Sequence, residues 1–137
     1  MQSALKMAEA AFLADEVPVG AVIVNPVTKV IIASSHNLVE KLKNPMAHAE
    51  MLVIQSACQI LSSKSLEGLD LYVTLQPCAM CIQAIIYAKI KRIYFGAYDP
   101  KVIIDIALAN HKPEIYGGID EEECKSLLDK FFVSKRI

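Results

Sequence analysis

His48-Ala49-Glu50 and, 27 residues after Glu50, Pro77-Cys78-Ala79-Met80-Cys81 put one imidazole, two thiols and one carboxylate into a chain of 137 residues. An imidazole and two thiolates are three zinc ligands, and a zinc ion with three protein ligands keeps its fourth position open for water, the arrangement of catalytic metal sites. Cys78 and Cys81 are three apart, so on the opening turn of a helix their sulfurs project from one face. The positive end of the helix dipole there favours thiolate, the form that zinc needs. His48, at the start of another helix, supplies the third ligand. Glu50 follows two residues later, rotated from His48 by roughly 200° in a regular helix. It is therefore expected beyond the metal and beside the water, as a general acid and base that carries protons between water and substrate. The expectation is one Zn2+ per chain on His48, Cys78 and Cys81, with Glu50 catalytic.

Each of these residues has a plainer reading. C-x-x-C alone fits a redox pair or two small buried hydrophobes, and Glu50 alone fits a first-turn carboxylate that stabilises a helix dipole. The combination is what favours a metal. Cys58 and Cys124 lack chelating spacing and read as packing thiols. His111, beside Lys112-Pro113, reads as a surface loop residue.

The elements that must position these groups follow from periodicity. Leu5, Ala8, Ala11 and Phe12 predict an amphipathic helix over roughly the first fifteen residues, ending before Val17-Pro18. Gly20 to Val24 and Val30 to Ala33 predict a hairpin around Asn25-Pro26-Val27-Thr28-Lys29. A second helix from about His48 would bury Met51, Ile54, Cys58 and Leu61. Leu69 to Leu75 reads as a strand running into Pro77, which fits the first turn of a third helix. Arg92 to Gly96 is a fourth strand, followed by a looser helix from Val102 to Ala109 and a short strand, Glu114 to Tyr116. The last helix runs from Asp120 to about Val133, with Asp120 and Glu123 as a capping box. The order α-β-β-α-β-α-β-α-β-α predicts an α/β fold, a three-layer α/β/α arrangement with a mixed five-stranded sheet and helices on both faces.

Composition sets the bounds. The length suits a single domain over 1–137. A formal charge of −1 gives no global basic field, so any RNA contact must be local. Two small basic groups could serve: Lys89, Lys91 and Arg92, and Lys130, Lys135 and Arg136. The hydrophobic fraction of 54% suggests a subunit interface, with Ile82, Ile85, Ile86 and Ile90 as its apolar surface and a homodimer as the product. No signal segment or membrane span is recognised at the N-terminus or elsewhere, which predicts a cytoplasmic protein with thiols rather than disulfides.

From end to end the chain resembles the bacterial tRNA-specific adenosine deaminases of the cytidine deaminase-like superfamily. The resemblance is carried by Glu16-Val17-Pro18-Val19-Gly20-Ala21-Val22, His36-Asn37, Asn44-Pro45-Met46-Ala47-His48-Ala49-Glu50, Tyr72-Val73-Thr74-Leu75-Gln76-Pro77-Cys78-Ala79-Met80-Cys81, Phe95-Gly96-Ala97-Tyr98-Asp99 and Leu127-Leu128-Asp129-Lys130-Phe131-Phe132. His-x-Glu with Pro-Cys-x-x-Cys is the general zinc deaminase pattern. It implies hydrolytic loss of an amine from a base, and the flanking segments point to the tRNA branch. The resemblance further implies Asn37 as a substrate contact, the Ala49 backbone near the base, Asp99 in the loop that meets the RNA, and a tRNA anticodon loop as partner. Gln76 stands where Glu usually precedes Pro-Cys, Asn44 and Met46 replace Asp and Thr, and Val102-Ile103-Ile104-Asp105-Ile106 is bulkier than the usual segment after Asp99. The alternatives are a free-base or nucleoside deaminase acting on guanine or cytosine, and a non-catalytic zinc-bearing subunit.

Overall fold

Residues 1–102 and 111–135 are described by the structure, a computed structural model. Among them are five helices and five strands: α1 (Gln2–Leu13), β1 (Gly20–Val24), β2 (Ile31–His36), α2 (Val39–Leu42), α3 (Ala49–Leu61), β3 (Asp70–Leu75), α4 (Ala79–Ala88), β4 (Arg92–Ala97), β5 (Glu114–Tyr116) and α5 (Glu121–Ser134). The strands form one mixed sheet in the order β2-β1-β3-β4-β5. β1 is antiparallel to β2 and β3, whereas β3, β4 and β5 are parallel. α1 and α5 cover one face, and α3 with α4 covers the other. This is the expected three-layer architecture.

Sheet register decides which side chains each layer buries. Ala21, Ile23, Leu71, Val73 and Ile93 are fully buried, as period-2 strands covered on both faces require. Gly20 lies where α1 crosses β1. A Cβ there would run into the Ala4 carbonyl and the Ala8 backbone nitrogen, so only hydrogen lets helix and strand approach so closely. The N–H of Gly20 donates across to Thr74 Oγ1 at 3.1 Å, extending the β1–β3 pairing by a side-chain contact.

Several local expectations are corrected. β2 runs on to His36, because Ser34, Ser35 and His36 pair with Val22, Ala21 and Gly20 despite their polarity. α2 carried no periodic signal, being one turn long. α3 buries Ala49, Glu50, Val53, Ile54 and Ala57 in place of the Met51, Cys58 and Leu61 face. A helix lying against strands at close range selects small side chains for contact and pushes longer ones to its flanks. Pro77 is not in the first turn of α4. Cys78 has extended backbone angles and is the N-cap, so only Cys81 is helical. Asp120 sits at φ 52° and forms no capping box; its carboxylate instead accepts from Gln2 Nε2 at 3.0 Å.

The apolar surface expected on α4 is largely interior. Ile82, Ile85 and Ile90 are 2%, 0% and 0% exposed, and only Ile86 is half-buried. The helix expected over Val102 to Ala109 lies, apart from Val102, within 103–110, outside the described residues. No described helix is long and apolar enough to cross a membrane.

Gly20→Ala is expected to lower stability by about 1–3 kcal/mol, the usual cost of forcing an extra carbon into a packed contact. Thermal denaturation of the variant beside the parent checks it; an unchanged midpoint would show that α1 yields without cost.

Candidate active site

Two helices begin at the same place. His48 is the N-cap of α3 and Cys78 the N-cap of α4, both extended, and neither side chain caps its own helix. His48 Nδ1 lies 3.7 Å from Cys78 Sγ and 3.5 Å from Cys81 Sγ. The ligand atoms of His48, Cys78 and Cys81 all fall within 4.8 Å of one another. Zinc at its usual bond lengths to nitrogen and sulfur in a tetrahedron requires N···S edges of about 3.6 Å. The donor set therefore fits a zinc ion in both chemistry and spacing, with the imidazole binding through Nδ1.

Electrostatics favour a cation at this point. Burial lowers the pKa of His48, leaving a neutral ring with a lone pair to offer. Burial also pushes the Cys81 thiol up, reinforced by the neighbouring Glu50 and Cys78. A cation reverses that cost by stabilising thiolate, and the N-termini of α3 and α4 add their positive ends.

Glu50 is in the first turn of α3 and 4% exposed. Burial pushes its carboxyl up to about 7, with its own backbone N–H and the Cys81 thiol opposing the rise. It is not a member of the three-donor cluster, but it lines the same cleft, a cavity of ≈ 350 Å³ that also includes His48 and Cys78. The cleft opens where β2, β3 and β4 end.

Asn37, directly after β2, is 8% exposed on the wall of this cleft. Its Oδ1 accepts the Ala49 N–H at 2.7 Å. An N–H can only donate, so the Asn37 amide must turn its Nδ2 the other way. Ala49 itself is fully buried. Asp99 also lines the cleft, and its N–H donates to Gln76 Oε1 at 2.9 Å. The structure thus brings His48, Glu50, Cys78, Cys81, Asn37, Ala49 and Asp99 to one end of the sheet.

Other residues stand elsewhere. Cys58 and Cys124 are remote from the cluster, and the Cys124 thiol, raised to about 11 chiefly by burial, packs on Gly96. The His111 ring bonds the Ile90 carbonyl at 2.7 Å, at the opposite end of the sheet. Arg92 is also at that end, paired with Asp70 at 3.7 Å and Glu114 at 3.5 Å. Lys135 pairs with Asp15, and Arg136 lies outside the described residues.

Glu16 was not singled out by its chemistry in the sequence, yet it holds a wall of the cleft. It is 2% exposed, and its two oxygens accept the N–H groups of Glu40 and Lys41 at 2.9 and 2.8 Å. A single carboxylate therefore anchors α2 against the segment before β1. The only signal for it was its place beside Val17-Pro18, because a glutamate near a helix end ordinarily reads as solvated.

The profile of the MafB19-like deaminases matches residues 1–136. The tRNA-specific adenosine deaminase of Rickettsia typhi is 45% identical, with 99% of this chain and 97% of the relative covered. The chain belongs to the tRNA-specific adenosine deaminase family. A solved structure from studies of A-to-I editing by tRNA:A34 deaminases superposes with a TM-score of 0.87 at 42% identity, covering 93% of this chain and 97% of that one. A guanine deaminase from Nitrosomonas europaea shares the fold at a TM-score of 0.88 with 19% identity. The chain is accordingly an enzyme, a deaminase.

The parent chain is expected to hold about one equivalent of zinc and a Cys78→Ser/Cys81→Ser double variant to lose it, since two of the three candidate ligands are gone. Elemental analysis of both purified proteins checks this; undiminished zinc in the variant would place the metal elsewhere.

Proposed function

We propose that this chain is a zinc-dependent hydrolytic deaminase that converts adenosine to inosine at the first anticodon position of tRNA. The observation that carries the reading is the buried Glu50 carboxyl standing beside, but outside, the three-donor cluster. Hydrolytic deamination needs that pairing of metal and proton carrier. The full-length likeness to proteins named for tRNA adenosine supports the choice of substrate.

A zinc ion held by His48, Cys78 and Cys81 would supply the Lewis acidity that makes water nucleophilic near neutral pH. Glu50 takes one proton of that water and delivers it to N1 of the adenine ring as C6 is attacked. It then takes the second proton from the hydroxyl now on C6 and delivers it to the amino group, which leaves as ammonia as the C6–N bond breaks and the C6 carbonyl forms. Its elevated pKa suits a group that must both accept and return a proton near neutrality. Asn37 and Ala49 act as a pair: the Ala49 N–H fixes the Asn37 oxygen, which leaves Nδ2 to donate to the base. Asp99 shapes the RNA side of the cleft, where its Oδ1 accepts the Lys101 N–H at 3.0 Å.

Positive charge for the RNA backbone is local. Lys41, Lys43 and Lys135 line a groove that adjoins the cleft through Glu16, Val17 and Glu40. The protein works as one domain in the cytoplasm, where its substrate is made. A homodimer also belongs to this reading, now on different residues: Tyr87 of α4 is 82% exposed and Ile60 of α3 60%, apolar surface that a second copy would cover. Light scattering at micromolar concentration is expected to return twice the chain mass; the mass of one chain would remove the dimer.

With an adenosine-bearing anticodon hairpin, the zinc-loaded protein is expected to form inosine at the first anticodon position. Glu50→Gln should lower the rate by at least about a hundredfold while leaving zinc content and melting intact. Rapid turnover of free guanine or cytosine with no inosine in any tRNA would overturn the substrate, and unchanged turnover in Glu50→Gln would overturn the mechanism.

A further inference from the structure

Beyond the last β1–β2 pair, Gly20 with His36, the next rung of the ladder is only half made. The Asn37 N–H donates to the Val19 carbonyl at 3.1 Å, and in a regular antiparallel ladder the Val19 N–H would return the bond to the Asn37 carbonyl. Here that N–H donates to the Val17 carbonyl at 2.8 Å instead, closing a three-residue turn around Pro18. The Asn37 carbonyl is left without its strand partner. Asn37 is 8% exposed, and a carbonyl on so buried a residue needs a donor.

His36 supplies it. Its Nδ1 lies 2.8 Å from the Asn37 carbonyl oxygen. A carbonyl can only accept, so Nδ1 carries the hydrogen. Among the described residues no other group donates to that oxygen. Three polar groups of Asn37 are then held at once: the N–H by Val19, the carbonyl by His36, and Oδ1 by the Ala49 N–H at 2.7 Å. Nδ2 is the one that is left to meet a ligand. Asn37 lines the cleft, whereas His36 does not.

We infer that His36 is a positioning residue for deamination: its Nδ1–H fixes the Asn37 peptide, and through it the direction in which Nδ2 meets the base. The inference rests on the reading given above, in which Nδ2 donates to adenine. Without the imidazole donor the Asn37 peptide turns toward another partner and carries the carboxamide with it. The base is then held less squarely over the attacking water, a loss that falls on the chemical step. Binding of the RNA as a whole depends on contacts elsewhere, so KM is largely spared.

An adenosine-bearing anticodon hairpin is the probe. His36→Phe keeps a ring but no donor, and is expected to lower kcat roughly tenfold with KM within about twofold and zinc content unchanged. His36→Asn places an amide nitrogen where Nδ1 stands and should restore kcat to within about threefold of the parent, whereas His36→Gln, whose nitrogen falls at the Nε2 position, should not. A double-mutant cycle tests the route through Asn37: Asn37→Ala alone should be slower by roughly a hundredfold, and adding His36→Phe should cost no more than about twofold further. The proposal is overturned by a full second loss in the Asn37→Ala background, by parent-like kcat in His36→Phe, or by equal rates in His36→Asn and His36→Gln. Each of these leaves tRNA deamination standing. If His36→Phe does not fold, the comparison of His36→Asn with His36→Gln still decides. No inosine from the parent protein on any hairpin would overturn the tRNA reading and this inference with it.

Discussion

The approach of two helix N-caps, with His48 Nδ1 and Cys78 Sγ 3.7 Å apart, is the constraint on which the rest of the site depends. Four groups that water solvates well, an imidazole, two thiols and a carboxyl, are packed against one another at the ends of α3 and α4. Without a cation, burial disfavours the ionised forms of Cys81 and Glu50, whose pKa values are raised. The fold holds it through rigid neighbours: α3 lies on β1 and β2, and α4 follows β3 after only three residues. Small changes in strand register would separate the ligands.

Around that point the wall of the cleft is assembled from side chains that bond to backbone. Asn37 caps Ala49, Glu16 caps α2 with both oxygens, Gln76 holds Asp99 and Thr74 holds Gly20. Each spends an acceptor on an N–H that no helix or strand satisfies, which is why the loops at this end of the sheet have a defined shape. In the two amides the same contact has a second effect. With their oxygens engaged, Asn37 and Gln76 can offer only donors to a ligand. The opposite end of the sheet is arranged otherwise, with Asp70, Arg92 and Glu114 paired among themselves and Tyr72, Tyr94 and Tyr116 stacked at 4.6 and 5.3 Å.

The sequence by itself determined which residues form the candidate site and the class of fold. Ligand types and spacing are local properties, as is the period-2 or period-3.6 pattern that names strands and helices, so His48, Glu50, Cys78, Cys81 and the five strands were legible without coordinates. Tertiary structure decided what depends on who packs against whom. It placed small Ala and Val on the inner face of α3, drew Ile82, Ile85 and Ile90 inside, and carried β2 through Ser34, Ser35 and His36 because β1 offered partners. It made Cys78 a cap rather than a first-turn residue and chose Nδ1 of His48. Above all it gave Glu16 and Gln76 their work: each bonds an N–H more than twenty residues away in the chain, and a pairing over that distance leaves no periodicity in the sequence to read.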